Sequence, residues 1–259
     1  MKSRWRLAIK TLPFIVIVVI AKYFAHLYDV EFLSLNALFT ALVSANIFLI
    51  GFLISGTLSD FKESERLPSE LASSIQIIAD EAYIVHKNKN SKVATNLLKD
   101  LVGLNESILK WFYKKEKTEE IYSKIFLLND KFLLLESETQ ANFIVRIKNE
   151  QGNIRRIIKR IHTIRETSFL GTGYAIAELI TFILVVGLIF VNLNPFYESM
   201  FFVSFVSFIM IYMIYFIRDL DNPFSYYDEY SLVEEVSLKP LTDSLNRIKS
   251  IILPVSQLE

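Results

Sequence analysis

Residues 32–59 read FLSLNALFTALVSANIFLIGFLISGTLS, and this charge-free stretch decides the fold. It is longer than the about 20 apolar residues with which a helix crosses the hydrocarbon core of a bilayer. A soluble domain spreads charged residues over its surface elements, so a stretch of this length without any charge indicates a transmembrane helix. We therefore expect an integral membrane protein.

Three more apolar stretches have the length of a transmembrane helix. They comprise residues 7–28, 167–197 and 199–217. The chain from 167 to 217 contains only two charged residues, Glu178 and Glu198. In the first stretch Lys10 and Lys22 flank the uncharged centre, and long lysine side chains can extend to opposite interfaces. A signal peptide is the alternative for this first stretch, but no clear small-residue cleavage site follows it. Four spans are therefore predicted.

The composition excludes several other classes of protein. The 259 residues include 28 Lys+Arg, 28 Asp+Glu and no cysteine, and 52% are hydrophobic. A disordered chain would have low hydrophobicity, and a disulfide scaffold or a thiolate metal site needs cysteine. The balanced charge gives no reason to expect nucleic acid as a partner.

The distribution of charge predicts the topology. Basic residues precede the first span, are frequent in the long middle segment, and begin the tail at Arg218. The two short connections carry Asp29, Glu31 and Glu198 and no basic residue. Because basic residues mark the cytoplasmic side, both termini are expected in the cytoplasm. The predicted parts are a first transmembrane hairpin (1–58), a helical cytoplasmic lobe (59–166), a second hairpin (167–217) and a cytoplasmic C-terminal tail (218–259).

The lobe is predicted to be all-helical, because its apolar residues recur at spacings of three and four without strand alternation. One predicted face comprises Leu71, Ile75, Ile78, Ala82 and Val85. Pro68, Gly103, Gly152 and the polar residues 86–91 are the turn signals that divide the lobe into separate helices. Pro68 suits the first turn of the helix that follows it.

Four basic residues lie on the predicted helix that leads into the third span. They are Arg155, Arg156, Lys159 and Arg160, and a stripe of isoleucines occupies the other face. In one interpretation the basic face lies at lipid headgroups, where each basic residue contributes about 1 kcal/mol near an anionic surface. In the other interpretation it is a basic wall that concentrates anions at a pore entrance.

Two stretches are specific enough to indicate a family. Residues 51–68 read GFLISGTLSDFKESERLP, and residues 215–224 read YFIRDLDNPF. Both resemble the bestrophin-like membrane proteins of bacteria and plants. The second is also similar to the Asn/Asp-Pro-Phe sequence after the last span of bestrophins, which are pentameric anion channels. At residues 62–66 the chain has KESER, without the tryptophans of the bestrophin motif in that region.

The resemblance implies a function as well as a layout. It implies a homo-oligomer, with five subunits as one expectation, that conducts inorganic anions through a pore lined by the second span. It also implies a bacterial inner membrane as the location. The alternative is a non-conducting membrane scaffold or sensor whose cytoplasmic lobe binds a protein or a lipid.

The second span contains a face that suits a pore. One face of it, with residues at spacings of three and four, is polar or small along most of its length and comprises Asn36, Thr40, Ser44, Ile47, Gly51, Ser55 and Leu58. Ile47, with Ile54 and Leu58, could form an apolar constriction, since hydrophobic rings can gate a pore by dewetting. The alternative is close helix packing, for which small residues at this spacing are also suited.

Glu178 is the isolated charge of the third span. A charge at mid-span costs about 2.5–3.5 kcal/mol on insertion scales, so a partner is expected. One interpretation is an interhelical hydrogen bond to Asn36, Thr40 or Asn46. The other is a proton- or cation-sensitive site.

Four carboxylates follow the last span, namely Asp219, Asp221, Asp228 and Glu229. Carboxylate oxygens bind Ca²⁺, and an acidic cluster after the Pro-Phe sequence does so in animal bestrophins. The alternative is that Asp221 closes a helix end and a turn. No other cofactor is expected.

Catalysis is not expected. The three histidines, His26, His86 and His162, lie on separate segments without a ligand spacing. The chain has no glycine-rich phosphate loop and none of the common hydrolase motifs.

Overall fold

The computed structural model describes residues 5–167, 171–221, 223–226 and 236–256. These residues form eight α-helices and two short strands. The helices are α1 (Arg6–Leu27), α2 (Ala37–Lys89), α3 (Lys92–Phe112), α4 (Thr118–Glu136), α5 (Ala141–Glu166), α6 (Gly171–Ile189), α7 (Phe196–Leu220) and α8 (Lys239–Ser256). The strands are β1 (Leu33–Ser34) and β2 (Val191–Asn192), which pair in parallel. The predicted all-α fold is confirmed.

Four stretches are long and apolar enough to cross a bilayer. They are α1, α2, the stretch Ala141–Ile189 that ends in α6, and α7. The four predicted spans are confirmed, and the chain is an integral membrane protein. Residue contacts divide it into two compact units. The membrane unit comprises Met1–Phe61, Ser168–Asn222 and Leu232–Glu234, and the lobe unit comprises Lys62–Thr167, Pro223–Ser231 and Glu235–Glu259.

Helix α2 contributes residues to both units. It has 53 residues, so at about 1.5 Å per residue it is about 80 Å long. The prediction that Pro68 begins a new helix is wrong, because Pro68 lies inside α2. A proline removes one backbone hydrogen bond from a helix. Here the flanking Leu67 and Leu71 are buried in the lobe core and hold the helix on both sides of that position.

The membrane unit is held by contacts among α1, α6 and α7 and by two small apolar clusters. The clusters comprise Val18, Val185, Leu188 and Val203 in one, and Ile50, Leu53, Ala177 and Ile217 in the other. Gly187 of α6 lies against the ring of Phe39, and a Cβ at Gly187 would stand 3.1 Å from that ring. Glycine therefore permits the close approach of α2 and α6 at this level.

The lobe unit has one large apolar core. The predicted face of α2 from Leu71 to Val85 is buried in it, as are the isoleucines of α5 from Ile154 to Ile161. Helix α8 packs on α3, so residues 239–256, which we expected within a tail, form part of the folded lobe unit. Phe224 is also fully buried, with its ring 5.7 Å from that of Phe112.

Only one of the other turn signals in the lobe marks a helix boundary. Gly103 and Gly152 lie inside α3 and α5, and an added Cβ at either would meet no atom within 4 Å. A glycine costs a helix about 1 kcal/mol, and the apolar faces around both positions outweigh that cost. The break predicted within residues 86–91 is confirmed. There Asn90 has a positive φ of 51°, and Ser91 caps α3 by accepting the Ala94 N–H at 3.0 Å.

Candidate functional site

The face of α2 that the sequence predicts as pore lining is exposed in the single chain. Seven of its residues are exposed and Ile54 is partly exposed, the seven being Asn36, Thr40, Ser44, Ile47, Gly51, Ser55 and Leu58. A Cβ at Gly51 would meet no atom within 4 Å. No element in the described part of the chain therefore covers this polar face.

Another side of α2 packs inside the membrane unit. Asn46, Ile50, Leu53 and Thr57 are buried at spacings of three and four. Asn46 Nδ2 donates a hydrogen bond to Thr181 Oγ1 of α6 at 2.9 Å. This buried side fixes the rotation of α2 about its axis, and it turns the polar face away from the packed interior.

A third face of α2 lies between the polar face and the buried side. It carries large exposed apolar residues, namely Leu38 (72% exposed), Leu42 (51%), Phe48 (78%) and Phe52 (61%). Such residues suit contact with lipid tails, whereas the amide, hydroxyl and glycine positions beside them do not. The span thus has distinct buried, apolar and polar faces.

The N-terminus of α2 offers both a hydrogen-bond donor and acceptors. Asn36 Oδ1 accepts the Phe39 N–H at 2.9 Å, which leaves Asn36 Nδ2 to donate outward. The hydroxyls of Thr40 and Ser44 donate to the carbonyls of Asn36 and Thr40, at 3.1 and 2.9 Å. Their hydrogens are therefore used within the helix, and their oxygens remain available as acceptors. The helix terminus itself carries a partial positive charge.

The other end of the span contains a polar contact that the sequence did not reveal. Tyr174 of α6 donates a hydrogen bond to Asp221 Oδ1 at 2.7 Å, and its hydroxyl oxygen lies 3.3 Å from Thr57 Oγ1 of α2. The contact joins α2, α6 and the end of α7. A tyrosine within an apolar stretch gives no signal of such a partner.

Glu178 forms an ion pair across two helices. Arg218 Nε donates to Glu178 Oε1 at 2.7 Å, and Arg218 Nη2 lies 2.6 Å from the same oxygen. The partners that we expected on α2 are therefore wrong, since Asn46 is bonded to α6 elsewhere. Arg218 lies in the last turn of α7, so the ion pair lies near that end of α7.

Lys22 is fully buried, although we expected its side chain to extend to an interface. Its Nζ donates to Glu31 Oε1 and to the Val191 carbonyl, both at 2.5 Å. His26 Nδ1 lies 3.1 Å from Glu31 Oε2. Burial raises the pKa of the Glu31 carboxyl, but the hydrogen bonds from Lys22 and His26, with the Lys22 charge, outweigh it and hold that pKa below its ordinary value.

The basic residues of α5 do not act as one group. Arg160 donates from Nε and Nη2 to the two carboxylate oxygens of Glu63, at 2.8 and 2.6 Å. These hydrogen bonds outweigh partial burial and lower the pKa of Glu63. Arg155, Arg156 and Lys159 are exposed. Arg160 thus joins α5 to α2 within the lobe unit, and both the lipid-face and the basic-wall interpretations now rest on the other three residues.

The predicted Ca²⁺ site lies only partly within the described residues. Asp219 and Asp221 are described, and Asp221 accepts the Tyr174 hydroxyl. Asp228 and Glu229 lie outside the described residues. In the described ranges, no group of three or more histidine or acidic residues is placed to hold a metal ion. The Ca²⁺ site stays a prediction.

No protein-family model and no curated protein matches the sequence of this chain. Solved structures match its fold. A crystal structure of a single-site variant of a bacterial bestrophin homolog from Klebsiella pneumoniae has a TM-score of 0.78 at 15% identity and covers 97% of this chain and 98% of that chain. A second structure of the homolog, phased with zinc, has a TM-score of 0.72 at 15% identity and covers 98% of each chain. A variant of a membrane protein has a TM-score of 0.74 at 15% identity, covering 97% of this chain and 98% of that chain. The resemblance predicted from the sequence is thus confirmed in the fold, and the chain has the fold of the bacterial bestrophin homologs.

Proposed function

We propose that the chain forms a homo-oligomeric ion channel, selective for anions, whose pore is lined by the polar face of α2. The observation that carries the proposal is that this face is exposed while the rest of the span is buried or apolar. The hydroxyls of Thr40 and Ser44 bond to their own helix, but an amide in hydrocarbon, such as that of Asn36, costs free energy unless it is fully hydrogen-bonded. A water-filled axis between copies of the chain removes that cost.

The lobe unit supports the assembly of several copies. Helix α4 buries one apolar face in the core, yet a second face of it carries Phe126, Leu127, Leu133 and Leu134, which are 54–70% exposed. Contiguous exposed apolar residues of this kind mark interaction surfaces. We propose that a second copy covers this face, in a ring of five as the resemblance to bestrophins implies.

The preference for anions rests on the N-terminus of α2. In a ring, each copy brings the partial positive charge of a helix N-terminus and the free Nδ2 of Asn36 to the same mouth. Such termini are suited to anions. The exposed Arg155, Arg156 and Lys159 of α5 supply positive charge that would raise the local anion concentration at the lobe side. Both termini then lie in the cytoplasm, with a bacterial inner membrane as the location.

Ile47, Ile54 and Leu58 are the candidates for the constriction. They are the apolar members of the polar face, and Ile47 is 49% and Leu58 37% exposed in the single chain. A ring of such side chains can exclude water when the pore is closed.

The proposal is tested with the full chain in vesicles loaded with chloride. Gly51→Trp fills the polar face at a position where the chain itself leaves open space, so chloride efflux should fall to the level of protein-free vesicles. Phe52→Trp is the matched control, because Phe52 is the next residue and belongs to the apolar face. It should conduct as the unmodified chain does.

Two results would contradict parts of the proposal. If the unmodified chain, shown to be oligomeric, passes neither anions nor cations, the chain is the non-conducting scaffold or sensor. If a chloride-salt gradient gives a reversal potential near the equilibrium potential of the cation, the pore exists and the anion preference is wrong.

A further inference from the structure

A groove in the membrane unit lies apart from the polar face of α2. It is formed by α1, α6 and α7 and has a volume of about 370 Å³, within the range of small-molecule sites of about 300–1,000 Å³. Most of its wall is apolar, and Phe14, Val186, Ile211 and Ile214 belong to it. All of these residues lie within the membrane unit.

One end of the groove is charged. Glu178 and Arg218 line it there, beside Tyr215. Lys10 extends over the Tyr215 ring, with Nζ 5.1 Å from the ring centroid. At this end of the groove α7 finishes, and the chain continues from there into residues of the lobe unit.

The charge of this end favours an anion. The charges of Arg218 and Glu178 cancel in their ion pair, although the Arg218 side chain remains 57% exposed. The ammonium of Lys10 contacts the Tyr215 ring, which leaves its charge uncancelled by that contact. The three groups together carry one net positive charge, which matches a single phosphodiester. Its oxygens can accept from the lysine ammonium and from the guanidinium donors that Glu178 leaves unused.

The groove is long enough for an acyl chain. On α6 its lining runs from Glu178 to Ile189, the last residue of that helix, a rise of about 16 Å. An acyl chain that starts at the charged end can therefore lie along α6 over this length.

We propose that the groove is a binding site for an anionic glycerophospholipid of the leaflet on the lobe side. The phosphodiester lies between Lys10 and Arg218, and one acyl chain lies along α6 and α7 against Val186 and Ile211. The Glu178–Arg218 ion pair positions the guanidinium at the mouth of the groove. The site distinguishes lipids by headgroup charge, because its apolar wall accepts any acyl chain of sufficient length.

The test counts lipids bound to the full chain in detergent by native mass spectrometry, with phosphatidylglycerol and phosphatidylcholine titrated separately. The unmodified chain should retain phosphatidylglycerol at lower concentrations than phosphatidylcholine. Lys10→Gln should weaken phosphatidylglycerol binding about fivefold, from the loss of one basic residue at an anionic group, and leave phosphatidylcholine unchanged. Lys87→Gln, an exposed lysine at the far end of α2, is the control with the same change of charge and should change neither.

A second variant tests the apolar wall. Val186→Phe narrows the groove without a change of charge and should weaken the binding of both lipids. The proposal is overturned if Lys10→Gln and Lys87→Gln weaken phosphatidylglycerol binding equally, because the attraction would then be nonspecific. It is also overturned if Val186→Phe changes the oligomer mass and leaves lipid binding intact, because a second copy of the chain would then occupy the groove.

Discussion

The membrane unit and the lobe unit use apolar residues in different ways. In the most apolar 18-residue part of each of the four spans, only 17–28% of the residues are buried. In the lobe unit, by contrast, the predicted apolar faces of the helices are buried in one continuous core. Water drives apolar side chains of the lobe together. Lipid tails exert no such drive, because they are as apolar as the side chains.

The difference determines which residues carry information about contacts. In the lobe, apolar spacing identifies the packed face of each helix. In the membrane unit the polar residues identify the contacts, as Asn46 with Thr181, Lys22 with Glu31, and Tyr174 with Asp221 do. Their partners are found on other helices or connections, because no water is present to satisfy them.

The largest expected effect is the loss of a polar contact in the membrane unit. Lys22→Met leaves the Glu31 carboxylate, whose side chain is 5% exposed, and the Val191 carbonyl without their donor. Removing one partner of a buried pair costs about 3–5 kcal/mol. Thermal unfolding of the full chain in lipid-free detergent measures the loss, and hydrogen exchange should rise around residues 27–35. Lys10→Met, an exposed lysine on the same helix, is the control; if both variants unfold alike, the buried pair does not hold this unit together.

Truncation of an apolar side chain should cost the lobe unit more unfolding free energy than it costs the membrane unit. Leu101→Ala removes a fully buried side chain from the lobe core and should cost about 2–5 kcal/mol of unfolding free energy. Leu38→Ala makes the same change in a side chain of the membrane unit that is 72% exposed, where about 0.5 kcal/mol or less is expected. Equal losses in the two denaturation curves would show that apolar residues serve both units in the same way.

A smaller, pH-dependent effect is expected within the lobe unit. The pKa of Glu63 is lowered from 4.5 by its bidentate bond with Arg160. The stabilisation is therefore present above pH 4.5, and it is lost as the pH falls through the lowered value. The difference in melting temperature between the unmodified chain and Glu63→Gln should accordingly shrink between pH 6 and pH 3. Glu70→Gln, which breaks an exposed pair with Arg66, should differ little in melting temperature from the unmodified chain at every pH. If the difference for Glu63→Gln is the same at pH 6 and at pH 3, the pH-dependent stabilisation does not come from the Glu63–Arg160 pair.

The smallest effect is expected at the intramembrane ion pair. Glu178 and Arg218 are both partly exposed, so a double-mutant cycle with Glu178→Gln and Arg218→Gln should give a coupling of about 0.5–1 kcal/mol. Because Glu178 is paired across helices and lies outside the polar face of α2, Glu178→Gln should leave the pH dependence of ion flux unchanged. Glu198→Gln, an exposed carboxylate at the other end of α7, serves as the control. A shifted flux profile in Glu178→Gln alone would restore the proton-sensitive interpretation.

The sequence predicted what depends on local periodicity. The charge-free stretch predicted α2 as a span, and the spacing from Leu71 to Val85 predicted the lobe face that is buried. The turn signals failed at Pro68 and Gly103, because burial on both sides of these positions outweighs the local cost of a proline or glycine in a helix.

The pairing of distant residues could not be predicted. The Val191 carbonyl lies 169 positions from Lys22, and Tyr174 lies 47 positions from Asp221. No periodicity relates such residues, since only the packing of the helices brings them together. For Glu178 the need for a partner followed from the cost of a charge in a span, but the choice of Arg218 depended on how α6 and α7 pack against each other.

The buried position of Phe224 bears on how proteins with this fold are recognised. This phenylalanine ends the stretch YFIRDLDNPF, which carried the resemblance to bestrophins. Its ring lies 5.7 Å from that of Phe112, and the ring of Tyr226 lies 5.8 Å from the same Phe112 ring. The last residue of the most recognisable stretch therefore belongs to the apolar core of the lobe. We therefore expect this motif to report how the lobe is packed, and to carry no information about the polar face of α2.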